Sequence, residues 1–182
     1  VFGSNDPIRP GEYRIKRGMS AGDVLALLQS GKILQRFVTI YEGMPSILVH
    51  ERLMKTPLLV GEVAVPIEGS VLPDSYAYQR GETRAALVGR MQKAMQTAVA
   101  NAWKKRKPGI AVANPAQAIV LASIIEKETG ALADRGRVGG VFVNRLRLGM
   151  LLQTDPTVIY GLGESFDGNL RKIDLTTDTP WN

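Results

Sequence analysis

The chain has 182 residues, 45% of them hydrophobic and 22% charged, enough for a real core in one or two small domains. It contains no cysteine, which excludes disulfides and thiol chemistry and fits an extracytoplasmic compartment, and its single histidine, His50, argues against a histidine-based metal site or triad. The formal net charge of +6, from 23 Lys and Arg against 17 Asp and Glu, admits nucleic acid, anionic lipid or an acidic polymer as partner on charge alone.

No stretch approaches the length of a membrane span and no signal peptide is visible, but the chain opens at Val1, which leaves room for a leader or anchor upstream. The first half carries an internal repeat. YRIKRGMSAGDVLALL from Tyr13 lies over VTIYEGMPSILVHERL from Val38 at an offset of 25 residues, pairing Ile15 with Ile40, Gly18 with Gly43, Met19 with Met44, Val24 with Val49 and Leu28 with Leu53. Each copy reads as a short strand, a Gly turn and an amphipathic helix, with Ser20 and Pro45 at equivalent helix starts. This unit resembles the first half of the LysM fold, a small carbohydrate-binding module, and fits a generic β-turn-α unit equally well.

After Lys55-Thr56-Pro57, strand-like runs punctuated by Pro66, Gly69, Pro73 and Gly81 predict a hairpin or an extended connection. Thr83 then caps a helix running to about Lys105, with Val88, Met91, Met95, Val99 and Trp103 as its buried stripe. The run Lys104 to Lys107 follows directly. With no aromatic residues interleaved as a stacking platform requires, it reads as a solvated helix end, and no nucleic-acid motif accompanies it.

The most apolar helix spans NPAQAIVLASIIEKETG, residues 114–130, with Asn114 as cap, Pro115 at the first helical position and Gly130 as stop. Ala118, Ile119, Val120, Leu121, Ala122, Ile124 and Ile125 make it hydrophobic on nearly every face, which predicts burial. A carboxylate at the end of a buried helix loses solvation, which raises its pKa and suits a general acid. Glu126 and Glu128 lie about 200° apart around the axis and cannot both face one site. Glu128 follows Leu121, Ile124 and Ile125, while Glu126 follows Ile119, Ala122 and Ser123. Helical geometry leaves the choice between them open.

A second helix is expected from about Asp134 to Leu148, with Gly149 as stop and Val138, Val141 and Phe142 as its apolar face. Gly136, Gly139 and Gly140 each weaken it by roughly 1 kcal/mol relative to alanine, so a close backbone approach to the central helix is expected there. Gln153, Thr154 and Asp155 precede Pro156, which disfavours helical backbone at Asp155. They are expected on a Pro-fixed polar loop or turn able to line a pocket. The remaining tail reads as turn and loop.

Taken together, TIYEGM, EGSVLPDSYAY, LASIIEKETG and VFVNRLRLGMLLQTDPTVIYGLG resemble the MltG (YceG-like) family of endolytic murein transglycosylases, over most of the chain from about Pro10. The resemblance implies an α+β fold: a LysM-like module over residues 1–56 and a mainly helical catalytic domain over 57–182. It implies cleavage of peptidoglycan between N-acetylmuramic acid and N-acetylglucosamine, leaving 1,6-anhydro ends, on the outer face of the bacterial cytoplasmic membrane. The family's catalytic glutamate, the second Glu of EKET, falls on Glu128. Asn144, Gln153, Thr154, Asp155 and Tyr160 are the candidates for contacting the sugar. Glycan strands are the implied substrate, cell-wall synthesis enzymes are candidate partners, and neither metal nor cofactor is expected. The family's N-terminal membrane helix is absent from this chain, and its C-terminal segment continues past Trp181-Asn182. Two rivals remain: a hydrolase with Asp155 or Glu164 as base opposite Glu128, and a non-catalytic wall-binding protein.

Overall fold

The computed structural model describes residues 6–181, which form an α+β chain of two compact units divided between Lys93 and Ala94. Val1 and Asn182, where the sequence reading placed the chain ends, lie outside the described residues.

In the first unit, helix α1 (Ala21–Ser30) starts at a capping box. The Ser20 hydroxyl accepts from the Asp23 amide at 3.2 Å while the Asp23 carboxylate accepts from the Ser20 amide at 2.9 Å. Gly31 ends it in the left-handed conformation at φ 68°. Strand β1 (Arg36–Ile40) follows, then helix α2 (Ser46–Lys55) and strand β2 (Asp74–Tyr78). The strands pair antiparallel, Val38 opposite Tyr76 and Ile40 opposite Asp74. Alternation along β1 buries Val38 and Ile40 and leaves Phe37 out. Helix α2 adds Val49 and Leu53 from one face, and Leu59, Val71, Leu87, Val88 and Met91 complete a single core. Leu53, Leu87 and Met91 are fully buried.

One expectation changes here, and one pair of alternatives is resolved. The second repeat copy is the strand-turn-helix the sequence announces, but the first has no strand: residues 13–17 run as irregular chain. Its Tyr13 is tied by its hydroxyl to the carbonyls of Arg9, at 2.7 Å, and Leu28, at 3.1 Å. Of the hairpin and the extended connection expected after Pro57, the structure has the extended connection, and β2 finds its partner in β1. The compact unit that holds β1 and β2 extends to Lys93, within helix α3 (Arg84–Lys104). Arg84 secures the start of that helix by donating to the carbonyls of Leu53 at 2.8 Å, Met54 at 3.1 Å and Gly61 at 2.8 Å. Thr83 caps α3 as expected, accepting from the Ala86 amide at 3.1 Å.

The second unit contains helices α4 (Pro115–Glu128), α5 (Arg135–Arg147), α6 (Asp155–Leu162) and α7 (Lys172–Thr176), with a 3₁₀ turn at Gly163–Ser165. The caps of α4 are those read from the sequence: Asn114 accepts from the Gln117 amide at 3.0 Å and Pro115 opens the helix. Its expected burial is corrected. Only Ile124 is buried, and Val120 is 60% exposed, because α4 packs against α5 and α6 on part of its circumference only. Among the described residues, the buried apolar side chains of this unit are Ile124, Phe142 and Val158, one from each of α4, α5 and α6.

The three glycines of α5 also divide. A Cβ on Gly139 would meet Ile125 Cδ1 at 3.1 Å, whereas Gly136 and Gly140 face open space. The close approach to α4 therefore rests on Gly139 alone. Finally, the polar segment before Pro156 is the head of a helix rather than a loop. Thr154 is the N-cap and Asp155 the first helical residue, with Pro156 inside the first turn, where its missing N–H costs no bond. The tail, whose sequence predicts turn and loop, likewise holds α7.

Candidate functional site

The two carboxylates that helix geometry could not separate meet different partners. Glu126 pairs with Arg135 at the start of α5, Oε2 to Nη2 at 2.7 Å. Glu128, one turn beyond the buried Ile124, accepts a short hydrogen bond from the Thr154 hydroxyl. Among the described residues, no cation forms an ion pair with Glu128.

Thr154 is only 4% exposed. It stands at the N-cap position of α6, yet its hydroxyl makes no cap bond within that helix. Its hydrogen goes to Glu128, so a carboxylate sits at the positive end of the α6 dipole. Glu128 itself is exposed, contrary to the expectation from an all-apolar helix.

A cleft of about 450 Å³ opens on the Thr154 side of this pair, and Glu128 itself is not among its lining residues. Gln153, Thr154 and Asp155 line it from the head of α6, and Leu175, Thr176 and Asp178 line it from α7 and the residues after it. The structure thus gathers Glu128, Gln153, Thr154 and Asp155 in one neighbourhood. The other two candidates, Asn144 and Tyr160, are not among the residues lining the cleft. Asn144 is exposed on α5, and Tyr160, further along α6, is 41% exposed and packs edge-on against Trp181 with ring centroids 5.0 Å apart.

Sequence reasoning missed Arg145. From the last turn of α5 its Nη1 donates to the carbonyls of Leu151, at 3.1 Å, and Leu152, at 2.9 Å, and to Gln153 Oε1, at 3.2 Å. The available signal was an arginine at a helix end, which can satisfy carbonyls of the chain that follows. The basic run at the end of α3 is an exposed helix end, as read: Arg106 lies over the Trp103 ring at 4.2 Å and donates to the Trp103 carbonyl at 2.8 Å. Among the described residues, no helix is long and apolar enough to cross a membrane.

Comparison with known proteins agrees with this architecture. An endolytic murein transglycosylase of Bacillus subtilis (strain 168) is 34% identical over 122 residues, 64% of this chain and 32% of that protein. An endolytic murein transglycosylase of Streptococcus pneumoniae (strain D39) is 27% identical over 172 residues, 92% of this chain and 29% of that protein. The chain therefore spans roughly three-tenths of the length of these curated relatives. A crystal structure of a YceG-like protein from Listeria monocytogenes superposes with a TM-score of 0.64 at 25% identity, covering 96% of this chain and 68% of that one. The model of the YceG-like family matches residues 2–182, and the chain belongs to that family.

Proposed function

We propose that this chain is part of an endolytic peptidoglycan transglycosylase in which Glu128 is the single catalytic acid and base. The observation that carries the reading is the division of the two glutamates. Glu126 is neutralised by Arg135, whereas Glu128 faces the head of α6 and takes its hydrogen bond from Thr154, a residue that lines the cleft. Membership of the YceG-like family and the names of the relatives support the same assignment.

In this mechanism protonated Glu128 gives its proton to the glycosidic oxygen as the bond to N-acetylmuramic acid breaks. The carboxylate so formed is held by the Thr154 hydroxyl at the positive end of α6. It then takes the proton of the muramic acid C6 hydroxyl while that oxygen closes on the anomeric carbon. The proton count balances, no water is consumed, and the product carries a 1,6-anhydro end. Gln153 and Asp155 are the cleft residues assigned to the sugar, with Asn144 and Tyr160 left to more distant parts of the strand. The β1-turn-α2 element of the first unit is the LysM-like part of the proposal and would grip glycan. The whole protein would act on the outer face of the cytoplasmic membrane, beside cell-wall synthesis enzymes.

The test is product analysis. The intact protein is incubated with purified glycan strands in heavy-oxygen water and the products are weighed by mass spectrometry. Anhydro ends without label support the single-carboxylate mechanism. Labelled reducing ends would assign a hydrolase with Asp155 or Glu164 as base, and uncut strands would leave a wall-binding protein.

A further inference from the structure

The contact between Thr154 and Glu128 depends on a segment with little packing of its own. Leu151 is 67% exposed, and Gln153 holds φ at +51°, a left-handed backbone that residues other than glycine rarely adopt. One side chain reaches the whole segment: Arg145 Nη1, with its donations to Leu151 O, Leu152 O and Gln153 Oε1. The Arg145 carbonyl in turn accepts from the Met150 amide at 2.9 Å and the Leu148 amide at 3.1 Å, so the turn out of α5 closes on the same residue.

We propose that Arg145 is a positioning residue for the reaction assigned above: it fixes residues 151–153 and thereby aims the Thr154 hydroxyl at Glu128. It touches no substrate. Its effect passes through the Gln153 backbone to the next residue, Thr154, whose hydroxyl is the last link to the carboxylate. The inference rests on the catalytic reading of Glu128. All three donations leave the single Nη1, so a lysine keeps the charge and three donor hydrogens on one nitrogen and loses only part of the reach.

The test is a double-mutant cycle in the intact protein. Wild type, Arg145→Ala, Thr154→Val and the double variant are assayed on purified glycan strands, with kcat and KM measured separately. Arg145→Ala is expected to lower kcat about tenfold to a hundredfold with KM little changed, and the double variant to be no slower than the worse single. Arg145→Lys should recover part of the loss. Arg147→Ala is the control, since Arg147 donates to the Gly109 carbonyl at 2.8 Å and leaves the 151–153 segment alone.

Losses that multiply in the double variant, or an Arg145→Ala protein with wild-type kcat, would overturn the proposal. If Arg145→Ala does not fold, Arg145→Lys carries the cycle under the same criterion. Glu128→Gln, run alongside, separates the two levels. A fully active Glu128→Gln protein removes the catalytic reading and this inference with it. Multiplying losses in a system where Glu128→Gln is inactive remove only the role of Arg145.

Discussion

Thr154 and Glu128, 26 residues apart, are joined by a hydrogen bond from the head of α6 to the last residue of α4. That bond distinguishes two neighbouring glutamates that a helical wheel can only place on opposite faces. It also fixes which end of α4 meets the polar head of α6.

The distinction is measurable by paired substitutions. Glu128→Gln keeps the side-chain shape and removes the transferable proton, so cleavage should fall by about 10²- to 10⁴-fold while the melting temperature holds. Glu126→Gln breaks a partly exposed ion pair with Arg135, worth about 1 kcal/mol or less, and should cost a little stability and spare activity. Rates on glycan strands and melting curves of both proteins check this. Equal activity of wild type and Glu128→Gln would sink the assignment.

The glycines of α5 give opposite expectations at adjacent positions. Gly140→Ala adds a methyl in open space and should gain roughly 0.5–1 kcal/mol, raising the melting temperature by about 1–4 °C. Gly139→Ala brings its methyl to 3.1 Å from Ile125 Cδ1, so the same gain is offset by the shift Ile125 must make. Calorimetry on the two variants should rank Gly140→Ala above Gly139→Ala. The reverse order would place the α4–α5 approach at Gly140.

At Gly161 there is no such room. An added Cβ would lie 2.5 Å from Trp181 Cδ1 and 2.7 Å from its Cγ, so Gly161→Ala must push the indole away and disturb its edge-on contact with Tyr160. Loss of up to about 1.5 kcal/mol from an aromatic pair is expected, with a red shift of tryptophan emission as the ring meets water. The other tryptophan, Trp103, lies at the end of α3, and a Trp103→Phe background isolates the signal. Unchanged emission would show that Trp181 does not rest there.

Acid should loosen the first unit in a defined way. The Glu12 carboxyl is held below its ordinary pKa chiefly by its hydrogen bond with Arg36, and Asp23 chiefly by the Ser20 hydroxyl. A lowered native value means the folded state binds fewer protons than the unfolded one. The contribution is therefore complete above the unfolded-state value, about pH 4–4.5, and is lost as pH falls through the native value. Melting curves from neutral pH downward should show this decline, and Glu12→Gln should flatten it. An acid limb equally steep in that variant would exclude the pair as its source.

Local signals in the sequence were legible where the physics is local. Asn114, Thr83 and Ser20 mark helix starts through bonds spanning three residues and Pro115 through its fixed φ, and all four stand at the helix starts their sequence predicts. Long-range partners were not legible. The pairing of β2 with β1 crosses more than thirty residues, and nothing in residues 57–81 names it. Pro156 was misread for a different reason: proline disfavours helix at the preceding residue, yet inside a first turn it is tolerated, and here the second rule won. Burial of α4 was overestimated because apolar composition gives what a helix can bury, while its neighbours decide what it does bury. The candidate site divided likewise. Gln153, Thr154 and Asp155 are contiguous and stayed together, whereas the bond from Thr154 to Glu128 and the staple from Arg145 needed the tertiary structure.

The two repeat copies differ in how their helices begin, and that difference bears on the order of folding. Helix α1 carries its own start signal in Ser20 and Asp23. Helix α2 begins after Pro45, which offers no capping side chain. The Ser46 amide instead donates to the Glu68 carboxylate at 2.9 Å, and the Ser46 hydroxyl reaches the same carboxylate at 3.2 Å, from 22 residues along the chain. A borrowed cap cannot form until the intervening loop has closed, a step with its own entropic cost. In a growing chain the first turn of α1 can be sealed as soon as it is made, whereas α2 must wait for Glu68 to be synthesised and brought back. Two stretches of similar sequence thus acquire their ends at different times, one from within and one from a distant visitor.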